Sequence, residues 1–184
     1  MTRRVLFSAA WLALVLAGCG TPSQPLPMAV TAADALQVRA WVPEALQRQV
    51  AVAAVQGGEA TGRWWGSRVS AAALTQALEE SLYTVGMRPL SPEPAPRFEL
   101  RAELAPLEQP RVPVAGVTVG VAVAYTLLDK ASGRVVYQRR IANTDEARFG
   151  EAMLSPPERL RIANERALRA NINLLLRDLV TLRP

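Results

Sequence analysis

Residues 97–104, with the sequence RFELRAEL, decide the fold class. Apolar residues occupy every second position from Phe98 to Leu104, and charged residues occupy the positions between them. A period of two places the apolar side chains on one face of a β-strand and the charged ones on the other. The stretch therefore predicts a strand in a sheet with one buried face and one face at least partly in water.

Further strands are predicted on both sides of this stretch. Val117–Leu128 and Arg134–Ala142 are rich in β-branched residues, and Asp129–Gly133 between them has the composition of a hairpin turn. Val50–Val55 is a short continuous apolar run that ends at two glycines, as expected of a buried strand. The alternation over Leu36–Ala40 is consistent with one more short strand, in a region where the pattern is ambiguous.

Two segments have helical periodicity. The first runs from about Ser70 to Val85, and Gly86 supplies a residue suited to the left-handed conformation at a helix C-terminus. The second runs from a capping Ser155 to about Leu182, with proline at the first helical position and Glu158 three residues after the cap. The order β-α-β-β-β-α predicts an α+β domain in which two helices cover one face of a mostly antiparallel sheet.

The N-terminus has the three parts of a secretory signal. Arg3 and Arg4 precede the apolar run Val5–Leu16, and Ala17 and Gly18 are small. The run is shorter than the roughly 20 residues of a membrane-spanning helix. The alternative is an ordinary soluble secretory signal in which the following cysteine is incidental.

Leu16-Ala17-Gly18-Cys19 resembles the lipobox of bacterial lipoproteins. The resemblance implies that a diacylglyceryl group is attached to the Cys19 sulfur, that cleavage occurs between Gly18 and Cys19, and that the new amino group is acylated. Glycine at position 20, rather than aspartate, implies sorting to the outer membrane, with the domain in the periplasm. The predicted organisation is a signal peptide at 1–18, a lipidated, proline-rich tether at 19–28 and an α+β domain at 29–184.

Two absences limit the chemistry of the domain. The chain has no histidine, and Cys19 is its single cysteine. Serine–histidine–aspartate and cysteine–histidine catalysis, zinc sites built from imidazole or thiolate, and disulfides within the mature domain are therefore excluded. We expect no cofactor, no metal and no enzymatic activity.

Charged residues also argue against two functions. Glu99 and Glu103 alternate with arginines, so we interpret them as a solvated ion-pair ladder rather than as a general acid and base. The basic residues are interleaved with acidic ones along the chain, so a nucleic-acid partner is not expected.

Two groups of residues are candidates for contact with a partner. Arg63, Trp64 and Trp65 lie in a glycine-flanked loop, where an indole either anchors a partner or covers the end of a helix or sheet. Asn164 and Asn171 are seven residues apart, which places both within the apolar stripe of the last helix. They either hydrogen-bond the main chain of the sheet and adjoining loop, or line an exposed groove for a partner strand.

Several short motifs together resemble a family of uncharacterised proteobacterial lipoproteins: Gln56–Gly58, Ala77–Leu82, Leu107–Pro110, Arg161–Glu165 and Arg169–Ile172. The topology is also similar to the N-terminal domain of the Tol translocation protein, to lipoprotein activators of penicillin-binding proteins, and to auxiliary lipoproteins of lipid-transporting ABC systems. The resemblance implies a non-catalytic binding or assembly role through an unidentified envelope protein. The alternatives are an auxiliary subunit of an envelope lipid-transport system and, less favoured, a periplasmic enzyme.

Overall fold

The computed structural model describes residues 21–61, 66–91, 93–110 and 116–184. Within these residues the chain forms four α-helices and five β-strands. In chain order they are α1 (Pro25–Met28), α2 (Ala32–Arg39), β1 (Val50–Val52), β2 (Gln56–Gly57), α3 (Ala71–Thr84), β3 (Phe98–Leu104), β4 (Val117–Asp129), β5 (Arg134–Ala147) and α4 (Pro156–Leu179). Short 3-10 helices cover Glu44–Leu46 and Phe149–Glu151.

The strands form one mostly antiparallel sheet in the order β1-β3-β4-β5. β3, β4 and β5 are antiparallel neighbours, whereas β1 and the short β2 both run parallel to β3. The parallel pairing of β1 with β3 requires a crossover, and α3 lies in that connection. The α+β class and the element order predicted from the sequence are therefore confirmed.

The core lies between one face of the sheet and the two long helices. Along β4 the odd-numbered residues from Val117 to Leu127 are buried, and α3 and α4 bury leucine and alanine stripes. α4 contacts β4 and β5, whereas α3 contacts β1. Two helices on one face of the sheet are thus confirmed, and the opposite face carries no helix among the described residues.

The predicted helix ends are also confirmed. The Ser70 hydroxyl accepts a hydrogen bond from the N–H of Ala73 (3.1 Å), and Gly86 has a left-handed φ of 82° directly after α3. The Ser155 hydroxyl accepts from the N–H of Glu158 (3.4 Å) at the start of α4. Each cap satisfies an N–H that has no partner within its helix.

Leu36–Ala40 does not form the short strand that its alternation suggested, because residues 36–39 belong to α2 and Ala40 is its C-cap. Thr31 and Asp34 form a reciprocal capping box, with the Asp34 N–H donating to Thr31 Oγ1 (3.2 Å) and the Thr31 N–H to the Asp34 carboxylate (3.4 Å). Ala35 and Val38, three residues apart, are both buried. The helix start and this spacing outweigh the five-residue alternation.

The segment predicted to be a tether packs against the domain from Ser23 onward. Pro25–Met28 forms α1, and Met28 is fully buried. The Gln24 N–H donates to the Glu165 carboxylate (2.7 Å), and the Pro27 carbonyl accepts from Arg169 Nε (2.8 Å). Residues 23–28 are therefore part of the fold rather than a spacer.

Smaller differences concern element lengths. The run Val50–Val55 is a strand only over Val50–Val52, and β5 continues to Ala147 instead of ending at Ala142. α4 ends at Leu179, slightly before the predicted end. Among the described helices, none combines the length and the apolar character that crossing a membrane requires.

Candidate functional site

Asn171 is the centre of a buried polar network between α4 and the sheet. Its side chain is fully buried, and its Nδ2 donates to the Ile141 carbonyl (3.0 Å) and to Asn143 Oδ1 (2.7 Å). Its Oδ1 accepts from the hydroxyl of Tyr125 (2.9 Å). Burial raises the pKa of Tyr125 far above its ordinary value, so this hydroxyl stays a neutral donor.

Asn164 forms a second network two turns earlier on the same helix. Its Nδ2 donates to the Ser67 carbonyl (3.1 Å) and to Ser23 Oγ (3.3 Å), and its Oδ1 accepts from Gln109 Nε2 (2.7 Å). The side chain is fully buried. One amide thus connects α4 to three segments that are distant in sequence.

Both asparagines therefore bond groups of their own domain, as in the first of the two alternatives drawn from the sequence. The spacing of seven residues correctly placed both on the buried stripe of α4. It gave no information on their partners, because Tyr125, Asn143 and Gln109 lie on other elements. Neither amide is exposed to a groove in this structure.

The other two groups of candidate residues lie outside the described residues. This holds for Gly18 and Cys19 and for Arg63, Trp64 and Trp65. The base of the tryptophan-containing loop is described: the Arg68 N–H donates to Thr61 Oγ1 (3.1 Å).

The second face of the sheet is not covered by a helix among the described residues. Its centre consists of small side chains, whereas the buried face of the same strands carries valine, leucine and tyrosine. In register across the strands, Ala122 pairs with Ala142 and Ala124 with Arg140. Glu103, on the β3 side, pairs with Ala124. The result is a shallow central strip with charged side chains on both sides, which we call the open face (Gly120, Ala122, Ala124, Thr126, Gln138, Arg140, Ala142).

Two open depressions lie on the open face. One, of about 440 Å³, is lined by residues of β3, β4 and β5 that include Arg101, Ala124 and Gln138. The other, of about 310 Å³, includes Ala122 and Arg140. Small residues on β4 create this relief because the longer side chains of the neighbouring strands rise on either side.

Gly120 has a local reason to be glycine. The side chain of Glu108 lies over it, and a Cβ at position 120 would come within 2.9 Å of the Glu108 carboxylate. The main chains of the two residues exchange hydrogen bonds in both directions, Glu108 N–H to Gly120 oxygen (3.0 Å) and Gly120 N–H to Glu108 oxygen (2.9 Å). The close approach of this loop to β4 borders one end of the open face.

Several partly exposed carboxylates lie near arginines. Arg101 Nε is 2.7 Å from the Glu99 carboxylate on β3, whereas Arg97 binds Asp129, and Arg88 is 3.3 Å from Glu79. Asp145 is 3.9 Å from Arg166. Exposed pairs of this kind contribute little stability and resemble surface ion pairs more than an acid–base site.

A bidentate ion pair joins the start of β3 to the β4–β5 hairpin. Arg97 donates from Nε (3.1 Å) and from Nη2 (2.7 Å) to the Asp129 carboxylate, which is almost fully buried. The Ala131 N–H also donates to this carboxylate (3.0 Å). The bidentate guanidinium lowers the pKa of Asp129 well below its ordinary range.

No family model matches the chain, and no curated protein sequence matches it. Among solved structures, the fold is similar to that of a candidate lipoprotein from Caulobacter crescentus CB15, with 18% identity, a TM-score of 0.50, and coverage of 78% of this chain and 96% of that chain. It is also similar to XCC0632 from Xanthomonas campestris, of the DUF330 family, with 13% identity, a TM-score of 0.54, and coverage of 76% and 88%. At these identities the likeness shows a shared fold, and the predicted resemblance to Tol and penicillin-binding-protein activator domains stays a prediction.

Proposed function

We propose that this protein is an outer-membrane lipoprotein, anchored through lipid on Cys19, whose periplasmic domain is a non-catalytic binding or assembly module. The signal peptide and the sequence Leu16–Cys19 support the anchor. The shared fold with a candidate lipoprotein of Caulobacter crescentus agrees with it.

The observation that carries the binding role is the open face. A two-layer α+β domain needs to cover only one face of its sheet, and the other is usually kept soluble by long polar side chains. Here the centre of that face consists of Ala122, Ala124 and Ala142, and the charged residues stand at its sides. Small side chains let another main chain approach the sheet closely.

The partner that fits this surface is an extended segment of an envelope protein. Its main chain would lie over the alanines, and its polar groups would meet Glu103 on one side and Arg140 and Gln138 on the other. Because the sides carry both signs of charge, we expect the bound segment to have little net charge. Affinity would come from the central contact, and the charged sides would set the orientation.

The experiment is photo-crosslinking in intact cells that produce the full-length lipoprotein. A photoreactive residue at position 138, at the side of the central alanines, should give discrete protein adducts, and these should be lost when Ala122→Arg is added. The matched control is Ala131→Arg, the same change in the exposed β4–β5 turn, which should leave the adducts intact.

Two results would count against the proposal. Adducts at position 138 that persist with Ala122→Arg would mean that the open face does not bind the partner. Adducts with the mass of phospholipid, in place of protein, would favour the alternative of an auxiliary subunit in envelope lipid transport.

A further inference from the structure

The segment that follows Cys19 is held by the domain almost at once. The Ser23 N–H donates to the Arg68 carbonyl (3.2 Å), and Ser23 Oγ lies 3.3 Å from Ser67 Oγ. Ser23 is only 6% exposed. The chain is therefore fixed to the fold four residues after the cysteine.

The next residues are held as firmly. Glu165 is 4% exposed, accepts the Gln24 N–H (2.7 Å), and is itself bound by Arg161 Nη1 (2.6 Å). Six residues after Gln24, the Val30 N–H donates to Ser81 Oγ (3.1 Å) on α3. Detaching the segment would break these buried hydrogen bonds, which costs free energy.

The covalent geometry limits how far the domain can move from its anchor. Four Cα–Cα steps separate Cys19 from Ser23, and at about 3.6 Å for each step they span no more than about 14 Å. A lipid attached at Cys19 therefore keeps Ser23 near the bilayer surface. A longer tether would have allowed the domain to tumble freely.

The residues that follow Ser23 in the chain lie on the side of the domain that is formed by the helices. α1 contacts α3 and α4, which cover the face of the sheet opposite to the open face. Leu26 is 73% exposed there. It borders a groove of about 500 Å³ between α1 and α3, whose lining also includes Gln24, Gln76 and the charged residues Glu79, Glu80 and Arg88. We call Pro22, Gln24, Leu26 and Gln76 the anchor-side surface.

We propose that the anchor-side surface lies against the phospholipid surface of the membrane that holds the Cys19 lipid, so that the open face points away from it. The proposal rests on the lipid anchor of the proposed function. Leu26 alone is too little apolar surface to hold a domain at a bilayer. The lipid supplies the attachment, and the short connection supplies the proximity. The domain is thereby presented to a partner in one orientation.

The test uses the full, lipidated protein in vesicles of phosphatidylethanolamine and phosphatidylglycerol. Because Cys19 is the single cysteine and its sulfur carries the lipid, Leu26→Cys or Gln138→Cys supplies one free thiol for an environment-sensitive fluorophore. Lipids with a nitroxide headgroup should quench the fluorophore strongly at position 26 and little at position 138 on the open face. Intact mass and vesicle flotation are measured on the same samples.

A spacer variant tests the cause of the proximity. Inserting about 12 Gly and Ser residues between Gly20 and Thr21 adds a flexible segment of roughly 20 Å root-mean-square length. Flotation should be unchanged, and quenching at position 26 should fall to the level at position 138.

Each outcome has one meaning. Equal quenching at positions 26 and 138 in a floating protein, or quenching at position 26 that the spacer leaves unchanged, would overturn the proposed orientation and leave the anchor intact. A protein that neither floats nor has the mass of a lipidated chain would overturn the anchor, and the orientation with it.

Discussion

Replacing Asn171 with leucine tests the polar network on which α4 and the sheet depend. Leucine has the same number of side-chain heavy atoms, branched at Cγ, and is somewhat larger, so the change opens no cavity. It removes the acceptor of the Tyr125 hydroxyl and the donor to both Asn143 Oδ1 and the Ile141 carbonyl. Tyr125 is fully buried, whereas Asn143 is only partly so and keeps its bond to the Ala167 carbonyl (2.9 Å).

The magnitude follows from these partners. A buried group left without its hydrogen bond costs about 1–3 kcal/mol, and the Tyr125 hydroxyl carries most of that cost here. With smaller contributions from Asn143 and the Ile141 carbonyl, we expect the free energy of unfolding to fall by about 2–3 kcal/mol. For a domain of this size, that corresponds to a melting temperature lower by roughly 4–12 °C.

The assay is a melting curve and a urea titration of the soluble domain, with two further variants. Asn173→Leu is the matched control on the same helix, because its amide is only partly buried and accepts one bond from Arg177 (3.3 Å). We expect its effect to stay within about 0.5 kcal/mol. In a double-mutant cycle, Tyr125→Phe added to Asn171→Leu should cost less than the sum of the two single changes, because both partners are then apolar.

The reasoning is refuted if Asn171→Leu leaves the melting temperature unchanged. In that case the network does not stabilise the folded domain. A double variant as unstable as the sum of the singles would show that Tyr125 and Asn171 act independently.

Four further predictions follow from the sequence and the contacts described above. Cys19→Ala should leave an unprocessed precursor without acyl label on a gel, and trimming to mature size with unchanged membrane binding would refute the lipobox. A chain beginning at Met28 should fold as a monomeric α+β domain by circular dichroism. Its melting temperature should be lower than that of a chain beginning at Thr21, because it lacks the contacts of Ser23 and Gln24. Equal melting temperatures would show that these contacts add no stability. Because the folded-state pKa of Asp129 lies below its ordinary value, its contribution to stability is present above that value and is lost as the pH falls below it. Urea titrations at neutral and acidic pH should therefore show a smaller acid-induced loss for Asp129→Asn, and an equal loss would refute this. Of Trp64→Ala and Trp65→Ala, one should lower the melting temperature while the other weakens only partner recovery, and two destabilised variants would place both indoles in the core.

Periodicity and capping predicted the elements whose structure is set locally. The alternation in residues 97–104 placed β3 at its observed bounds, and Ser70 and Ser155 marked the starts of the two long helices. Leu36–Ala40 was ambiguous because five residues are too few to separate a period of two from one of 3.6. The capping pair Thr31 and Asp34 was the signal that would have identified this helix.

Long-range contacts explain what the sequence could not reveal. The composition of residues 21–27 is typical of a linker, and proline is equally suited to the first turn of a helix such as α1. What fixes the segment is its pairing with Glu165 and Arg169, more than 140 residues away in the chain. The partners of Asn171 and Asn164 are likewise set by the packing of α4 on the sheet and are absent from any local pattern.

The two faces of β4 have different roles, one in the core and one in the proposed binding surface. Its odd-numbered residues Val119, Val121 and Val123 are buried and fill the core, as a central strand requires. On the other side, Ala122 and Ala124 have low β-propensity. Measured β-propensities span roughly 1 kcal/mol, and a threonine at either position would stabilise the strand by part of that amount. The need for solubility does not explain two alanines at these positions. Polar β-branched residues would make this face of the sheet more soluble and the strand more stable. A shallow surface that another chain can approach does explain them, at a small cost in stability of the kind common at functional sites.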